Sequence, residues 1–272
     1  MTQDRIAERN GVRLRYRLSG EGIPLLLVHG VGSRLDNWLE VIEALGPGYR
    51  TLSYDQRGHG DSDKPKGPYS LEDLVEDLQA VADQAGFRRF HLAGFSLGGI
   101  VAQGYALAHP ERLISLALIS TVAGRTAEER EAVLARLRMV ESGIPGGHFQ
   151  SSIDRWFTEA FQRRRPDAIA AMEEENRKLD PAAYAAAYRV LATFDLADRL
   201  AEIRVPTLVA TGDGDIGSNP RMARLMQSRI PGARLEILPG LRHSILTEAP
   251  ERVARLLAGF IATVPRPNAS AR

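Results

Sequence analysis

The chain of 272 residues contains no cysteine. That single absence excludes a disulfide framework, a thiolate metal site, an iron–sulfur cluster and a cysteine nucleophile. Long apolar runs are missing as well. Segments such as Pro24 to Val28 and Thr207 to Ala210 fall far short of the ~20 residues that a membrane-spanning helix needs. The opening Met1-Thr2-Gln3-Asp4-Arg5 is polar and no apolar stretch follows it, so no secretory signal is expected, and a cytoplasmic enzyme is. Charge of one sign is not in excess either. Thirty-five basic side chains face 34 acidic ones, which leaves no broad basic field of the kind that nucleic-acid binding uses. Only three of the basic residues are lysines, a skew that reads as compositional bias. The run Arg163-Arg164-Arg165 before a proline reads as a solvated helix end. Neither a nucleic acid nor a membrane is an expected partner; a small-molecule substrate is. What remains, 44% hydrophobic and 25% charged residues, is average for a soluble globular chain. The length suits a single α/β domain, or one carrying an inserted sub-domain.

The amino end predicts a hairpin. Ile6 to Arg9 and Val12 to Leu18 flank Asn10-Gly11, the dipeptide suited to a two-residue type I′ turn. Val12, Leu14, Tyr16 and Leu18 alternate with Arg13, Arg15 and Arg17, which predicts one buried face and one wet one. Continuous apolar runs follow at Leu25 to Val28, Thr51 to Tyr54, Phe90 to Ala93, Leu116 to Ile119 and Thr207 to Ala210. Runs without alternation are the mark of strands covered on both faces of a parallel sheet. Between them lie helical patterns. Ser70-Leu71-Glu72-Asp73 opens one as a capping box, its apolar stripe is Leu71, Leu74, Val75, Leu78, Val81 and Ala82, and Gly86 closes it. A second helix runs to Ala108 and stops before Pro110. Strand–helix alternation implies βαβ units. The rhythm breaks over 122–200, where helices are predicted at Thr126 to Val140, His148 to Phe161, Asp167 to Leu179 and from Asp180-Pro181 to Leu191. The expected division is therefore an α/β core at 1–121 and 201–264, a helical cap at 122–200, and a disordered polar tail at 265–272.

The strongest chemical signal is Gly94-Phe95-Ser96-Leu97-Gly98-Gly99, a G-x-S-x-G elbow at a strand-to-helix turn. Such a turn forces the serine into a strained conformation, and glycines two residues to either side clear the neighbouring backbone. Taken alone, the pentapeptide is equally a glycine-rich turn with an ordinary serine at the helix start. His29-Gly30-Val31-Gly32 ends the strand Leu25 to Val28 and can present the Val31 N–H to the same crevice. With the N–H of Leu97 this would form a two-donor oxyanion hole. Two other patterns carry less. Gly212-Asp213-Gly214-Asp215-Ile216-Gly217 fits G-x-G-x-x-G, but it would set two aspartates against a pyrophosphate. His59-Gly60-Asp61-Ser62-Asp63 lacks the spacing of a metal site. No cofactor and no metal are expected.

Together the H-G-x-G loop at 29–32, the loop Asp55-Gln56-Arg57-Gly58-His59-Gly60-Asp61-Ser62, the elbow at Ser96, the Gly212-to-Asp215 step and a late histidine resemble the α/β-hydrolase superfamily over essentially the whole chain. The resemblance implies an eight-stranded, mostly parallel sheet with an inserted helical cap, and a triad in the order Ser, acid, His. The family's spacing selects Asp215 as the acid, with Asp213 as the alternative. Of six histidines only His243 lies between a late strand, Leu235 to Leu238, and the last helix. The family usually carries a small residue before this histidine, and Arg242 departs from that. A serine at the elbow argues against the dehalogenase and epoxide-hydrolase branches, which place an aspartate there. The cap segment Asp154 to Phe161 is most similar to that of the 3-oxoadipate enol-lactonase group. That likeness makes Arg155, Trp156 and Phe157 candidate substrate contacts, with Arg155 a clamp for a substrate carboxylate. A surface position for Arg155 and plain helix packing for Trp156, Phe157 and Phe161 are the alternatives. The expected activity is hydrolysis of a small carboxylic ester or lactone by Ser96, His243 and Asp215. Other acyl-centred chemistry, such as carbon–carbon bond hydrolysis, amide hydrolysis or cofactor-free perhydrolysis, and a non-catalytic binding role stand behind it.

Overall fold

A computed structural model describes residues 3–142 and 152–265. The elements in chain order are β1 (Gln3–Arg9), β2 (Val12–Ser19), β3 (Gly22–Val28), α1 (Leu39–Leu45), β4 (Gly48–Tyr54), α2 (Leu71–Gln84), β5 (Phe90–Phe95), α3 (Leu97–Ala108) and β6 (Leu113–Ile119). Helices α4 (Ala127–Glu141), α5 (Ile153–Trp156), α6 (Glu159–Arg164), α7 (Pro166–Arg177) and α8 (Pro181–Thr193) come next. The chain then returns through β7 (Thr207–Gly212), α9 (Pro220–Arg229), β8 (Arg234–Leu238), α10 (Ile245–Glu248) and α11 (Pro250–Thr263). The strands form one eight-stranded sheet in the order β1-β2-β4-β3-β5-β6-β7-β8. Strand β2 runs antiparallel to both of its neighbours, and every pairing from β4 to β8 is parallel. This is the eight-stranded, mostly parallel sheet that the resemblance implies.

The sheet separates two apolar layers, and the pleat sorts residues between them. Leu26, Val28 and Leu92 face α2, α3 and α8, whereas Leu25, Leu27 and Ala93 face α1 and α11. This two-sided burial is the physical origin of the unbroken apolar runs in β3, β5, β6 and β7. The capping box at α2 forms as expected, with Asp73 N donating to Ser70 Oγ at 3.0 Å and Ser70 N to Asp73 Oδ2 at 3.1 Å. In the first hairpin Arg9 pairs with Val12, and Asn10 and Gly11 carry φ of 51° and 77°, as a type I′ turn requires.

The wet face expected for β2 is only partly wet. Leu14 and Tyr16 are buried, but so is Arg15, whose guanidinium reaches Asp4, Asp55 and Asp61. Alternation reads polarity, not pairing, and three carboxylates make a buried arginine tolerable. A second correction concerns the helix expected over 148–161. Its first four residues lie outside the described residues. The remainder is two short helices, because Phe157 is extended and the Thr158 hydroxyl caps a new start by accepting from Phe161 N. Residues 266–272 of the expected tail also lie outside the described residues.

Candidate active site

Ser96, Asp215 and His243 come from three loops at the carboxyl ends of β5, β7 and β8. That end of a parallel sheet is where α/β folds gather their ligands. Ser96 occupies the turn into α3 with φ 54° and ψ −115°, a strained setting for a residue with a side chain. The surroundings hold it there: Ser96 N donates to Ile119 O at 3.0 Å, and the Thr121 hydroxyl donates to Ser96 O at 2.7 Å. The flanking glycines are needed on steric grounds. A Cβ on Gly98 would lie 2.4 Å from Val28 O, and one on Gly94 would lie 2.2 Å from Gly98 O.

His243 Nε2 is 3.2 Å from Ser96 Oγ, and its Nδ1 is 2.7 Å from Asp215 Oδ2. With Nδ1–H donating to the carboxylate, Nε2 presents a lone pair to the serine hydroxyl. Asp215 is 2% exposed, and Gly217 N and Ser218 N donate to its Oδ1 at 2.9 and 2.8 Å. Burial alone would raise its pKa. The His243 charge and the hydrogen bonds from His243, Ser218 and Gly217 outweigh that and hold the carboxyl below its ordinary value. Asp213, the alternative acid, is exposed and accepts from Gly240 N at 2.9 Å, away from the imidazole.

The expected oxyanion-hole residues, Val31 and Leu97, lie in the loop after β3 and at the start of α3. Val31 lines the cavity above Ser96, and the loop at Gly30 packs so closely on the elbow that an added Cβ would come within 3.1 Å of Ser96 Cβ. Leu97 begins α3, so its N–H is among the donors that have no carbonyl one turn back.

The cavity over Ser96 measures about 680 Å³. Its inner wall carries Arg125, Val133, Arg136, Tyr184 and Tyr188 from α8, α4 and the loop before α4. Arg34 and Glu175 pair across its mouth at 3.3 Å. Arg155 and Trp156 line the cavity, as the cap resemblance implied. Phe157 does not, which corrects that expectation: it is fully buried and stacks on Phe161 with centroids 5.1 Å apart and planes at 14°. Plain packing was the right alternative for these two rings. Trp156 is held beside His243 by its carbonyl, which accepts from Ser244 N at 2.9 Å. Arg242 reinforces this by donating to the carbonyls of Asp154 and Phe157.

Sequence reasoning missed Arg136, Tyr184, Tyr188 and Thr121. Glu129, Val133 and Arg136 recur on one face of α4, and Tyr184 and Tyr188 on one face of α8, so helical spacing was the available signal. Nothing in the sequence of the loop after β6 marks Thr121 as the hydroxyl that braces the elbow.

The two other loop histidines are framework. His29 Nδ1 donates to Gly30 O at 2.7 Å while its Nε2 accepts from Gln56 N at 3.0 Å, which fixes one neutral tautomer. His59 Nδ1 donates to Arg57 O at 3.0 Å, and the two rings meet edge to face at 5.1 Å.

Comparison with known proteins matches residues 23–250 to the model of the alpha/beta hydrolase fold family. Among similar proteins is an (E)-2-((N-methylformamido)methylene)succinate hydrolase of Acinetobacter baylyi, 29% identical, with 94% of this chain and 97% of the relative covered. A 3-oxoadipate enol-lactonase of the same organism is 28% identical over 95% of this chain and 97% of its own length. Among solved structures, an enol-lactonase from Burkholderia xenovorans superposes with a TM-score of 0.89 at 28% identity, covering 95% of this chain and all of that one. No helix among the described residues is long and apolar enough to cross a membrane.

Proposed function

The chain belongs to the α/β-hydrolase fold family, and from that premise we propose that it is a serine hydrolase of a small carboxylic ester or lactone, acting through an acyl-enzyme. The observation that carries this reading is the continuous relay from Asp215 through His243 to Ser96 beneath the cavity. In the proposed reaction Ser96 Oγ attacks the substrate carbonyl while His243 Nε2 takes its proton. Asp215 holds the imidazole in the required tautomer and balances its charge. The N–H groups of Val31 and Leu97 receive the developing oxyanion. Collapse of the tetrahedral intermediate breaks the C–O bond, and His243 returns the proton to the leaving oxygen. For a lactone the leaving group stays tethered to the acyl chain. A water molecule, deprotonated by His243, then cleaves the Ser96 ester and the cycle closes.

The enol-lactonase relatives and the compact cavity favour esters and lactones. One relative is named for a substituted formamido substrate, which keeps amide-type acyl transfer as a second reading. A panel of small esters, lactones, amides and vinylogous 1,5-diketones, assayed on wild type and Ser96→Ala, separates them. Preference for esters or lactones with loss of activity in the variant is the expected result. A preference for amides or diketones would transfer the reading to that chemistry. Activity surviving in Ser96→Ala would remove it altogether.

A further inference from the structure

The cavity has two unlike edges. One is ionic: Arg34, in the loop after β3, pairs with Asp36, Asp61 and Glu175, and Lys178 pairs with Glu175. The other is the acid loop after β7, where Ile216 and Gly217 line the cavity. Four strand spacings, about 19 Å, separate β4 from β7 in the sheet, and Ser96 at the end of β5 lies between them. Charged groups near the acid loop are engaged by the protein itself. Glu129 is taken up by Arg221 and Asn219, and Arg125 donates to the Leu191 and Phe194 carbonyls. Val122 after β6 and Met222 on α9, both buried, add apolar surface to the lining on this side.

Ile6, Leu39, Met139 and Ile216 are the large apolar side chains exposed among the described residues. The first three are scattered singly, which is ordinary for a protein surface, but Ile216 lines the cavity and is 64% exposed. The loop that carries it is held in place. Asp215 Oδ1 accepts from Gly217 N and Ser218 N at 2.9 and 2.8 Å, and Thr211 Oγ1 donates to Ser218 O at 2.9 Å. The backbone thus wraps the buried Asp215 carboxylate, and Ile216, between the acid and those donors, is turned away from the core.

In the proposed reaction the oxyanion turns to the loop after β3, while the leaving oxygen takes its proton from His243 Nε2. The imidazole is anchored to the loop after β7 through Asp215 Oδ2 at 2.7 Å. Carbonyl oxygen and leaving group therefore point to different sides of Ser96, the leaving group towards Ile216. We infer that Ile216 is a specificity-determining residue for the leaving group, its exposed side chain packing against the alkyl chain of the departing alcohol. The preferred substrate is then an ester of an apolar alcohol, or a lactone with an alkyl group on the carbon that bears the ring oxygen. The inference rests on the reading of this cavity as a hydrolase site. Each methylene half-covered by the side chain is worth about 2-fold in kcat/KM.

The test compares two chain-length series by proton release, with spontaneous hydrolysis subtracted. One lengthens the leaving group, through methyl, butyl and hexyl acetate. The other lengthens the acyl group, through methyl acetate, methyl butanoate and methyl hexanoate. The quantity read is the ratio of kcat/KM for the longest member over the shortest within each enzyme. Wild type should show a leaving-group ratio well above unity, and Ile216→Ser should lower it by about 5-fold or more while the acyl ratio stays put. Ile216→Leu should keep most of the ratio, since the apolar area remains. The ratio of γ-octalactone to γ-butyrolactone should follow the leaving-group series, because the butyl group sits on the carbon bearing the ring oxygen. A leaving-group ratio that does not rise in wild type, or that Ile216→Ser leaves unmoved, overturns the inference. So does an equal or larger fall in the acyl ratio. Ile216→Thr takes the place of Ile216→Ser should the latter fail to fold. Ser96→Ala keeps the two levels apart. Loss of every substrate there with unmoved ratios in the Ile216 variants sinks the role of Ile216 alone, whereas retained turnover sinks the hydrolase reading.

Discussion

Arg242 donates to the Phe157 carbonyl at 3.0 Å, and so ties the short helix that carries Arg155 and Trp156 to the loop of His243. The residue that departs from the family pattern is therefore a strut between the cavity wall and the proposed base. Arg242→Ala removes hydrogen bonds from a charged donor to two carbonyls, at a cost on the order of 1 to 3 kcal/mol. The expected outcome is a several-fold rise in KM with a smaller change in kcat, together with a lower Tm. Steady-state kinetics and a melting curve check it, and an unchanged KM would make Arg242 a bystander.

Asp215→Asn should lower kcat by roughly 10³- to 10⁴-fold, because an amide cannot hold the imidazole in its working tautomer. Asp213→Asn should cost little, since its exposed carboxylate accepts, among the described residues, from the Gly240 amide and not from His243. A larger loss from Asp213→Asn than from Asp215→Asn would reverse the assignment of the acid.

Backbone packing at the elbow predicts a sharp contrast between two glycines. Gly98→Ala drives a Cβ to 2.4 Å from Val28 O and 2.6 Å from His29 O, contacts that backbone cannot relieve cheaply. A loss on the order of 3 kcal/mol or more, or failure to fold, is expected. Gly259 lies exposed inside α11 with nothing near its missing Cβ. Gly259→Ala should raise stability by about 0.5 to 1 kcal/mol. Urea unfolding midpoints measure both, and equal effects would contradict the steric account.

Stability should fall as pH drops below neutrality, and the sign follows from two buried imidazoles. Burial lowers His29 to about 4, while burial with the adjacent His29 lowers His59 to about 3. In the unfolded chain both titrate near 6.5. Between pH 6.5 and about 4 the unfolded state binds protons that the folded state refuses, so stability declines as acid is added. Well below 6.5 each imidazole contributes a slope of up to about 1.4 kcal/mol per pH unit. Unfolding free energies measured from pH 7.5 to 4.5 should show this decline, and His59→Asn should flatten it. A flat profile in wild type would contradict the neutral, buried state of the pair.

Most of the sheet was legible because burial on both faces writes itself as unbroken apolar runs, as in Leu25 to Val28 and Leu116 to Ile119. The elbow was legible for steric reasons, since only glycine fits at 94 and 98. Asp215 and His243 emerged through family spacing together with their positions after β7 and β8, and the structure brings them to Ser96. Other features depended on contacts between distant segments. Arg15 looked exposed because nothing local reveals Asp4, Asp55 and Asp61 converging on it. Phe157 looked available because neighbours in sequence were expected to share a role, whereas one extended residue turns it away from the cavity into a stack with Phe161. Arg136 was passed over for the opposite reason: an arginine on an amphipathic helix reads as a solvated one until a second helix closes the cavity across from it.

The account stands most directly on the identity of the group that carries the acyl fragment. Wild-type protein mixed with 4-nitrophenyl acetate, quenched in acid within the first turnovers and digested for mass analysis, should carry one acetyl group on the peptide containing Ser96. The same peptide from Ser96→Ala should carry none, and that variant's kcat should be lower by on the order of 10⁴- to 10⁶-fold. An acetyl group on a different residue, or a Ser96→Ala enzyme that keeps about a tenth of wild-type activity, would contradict the account.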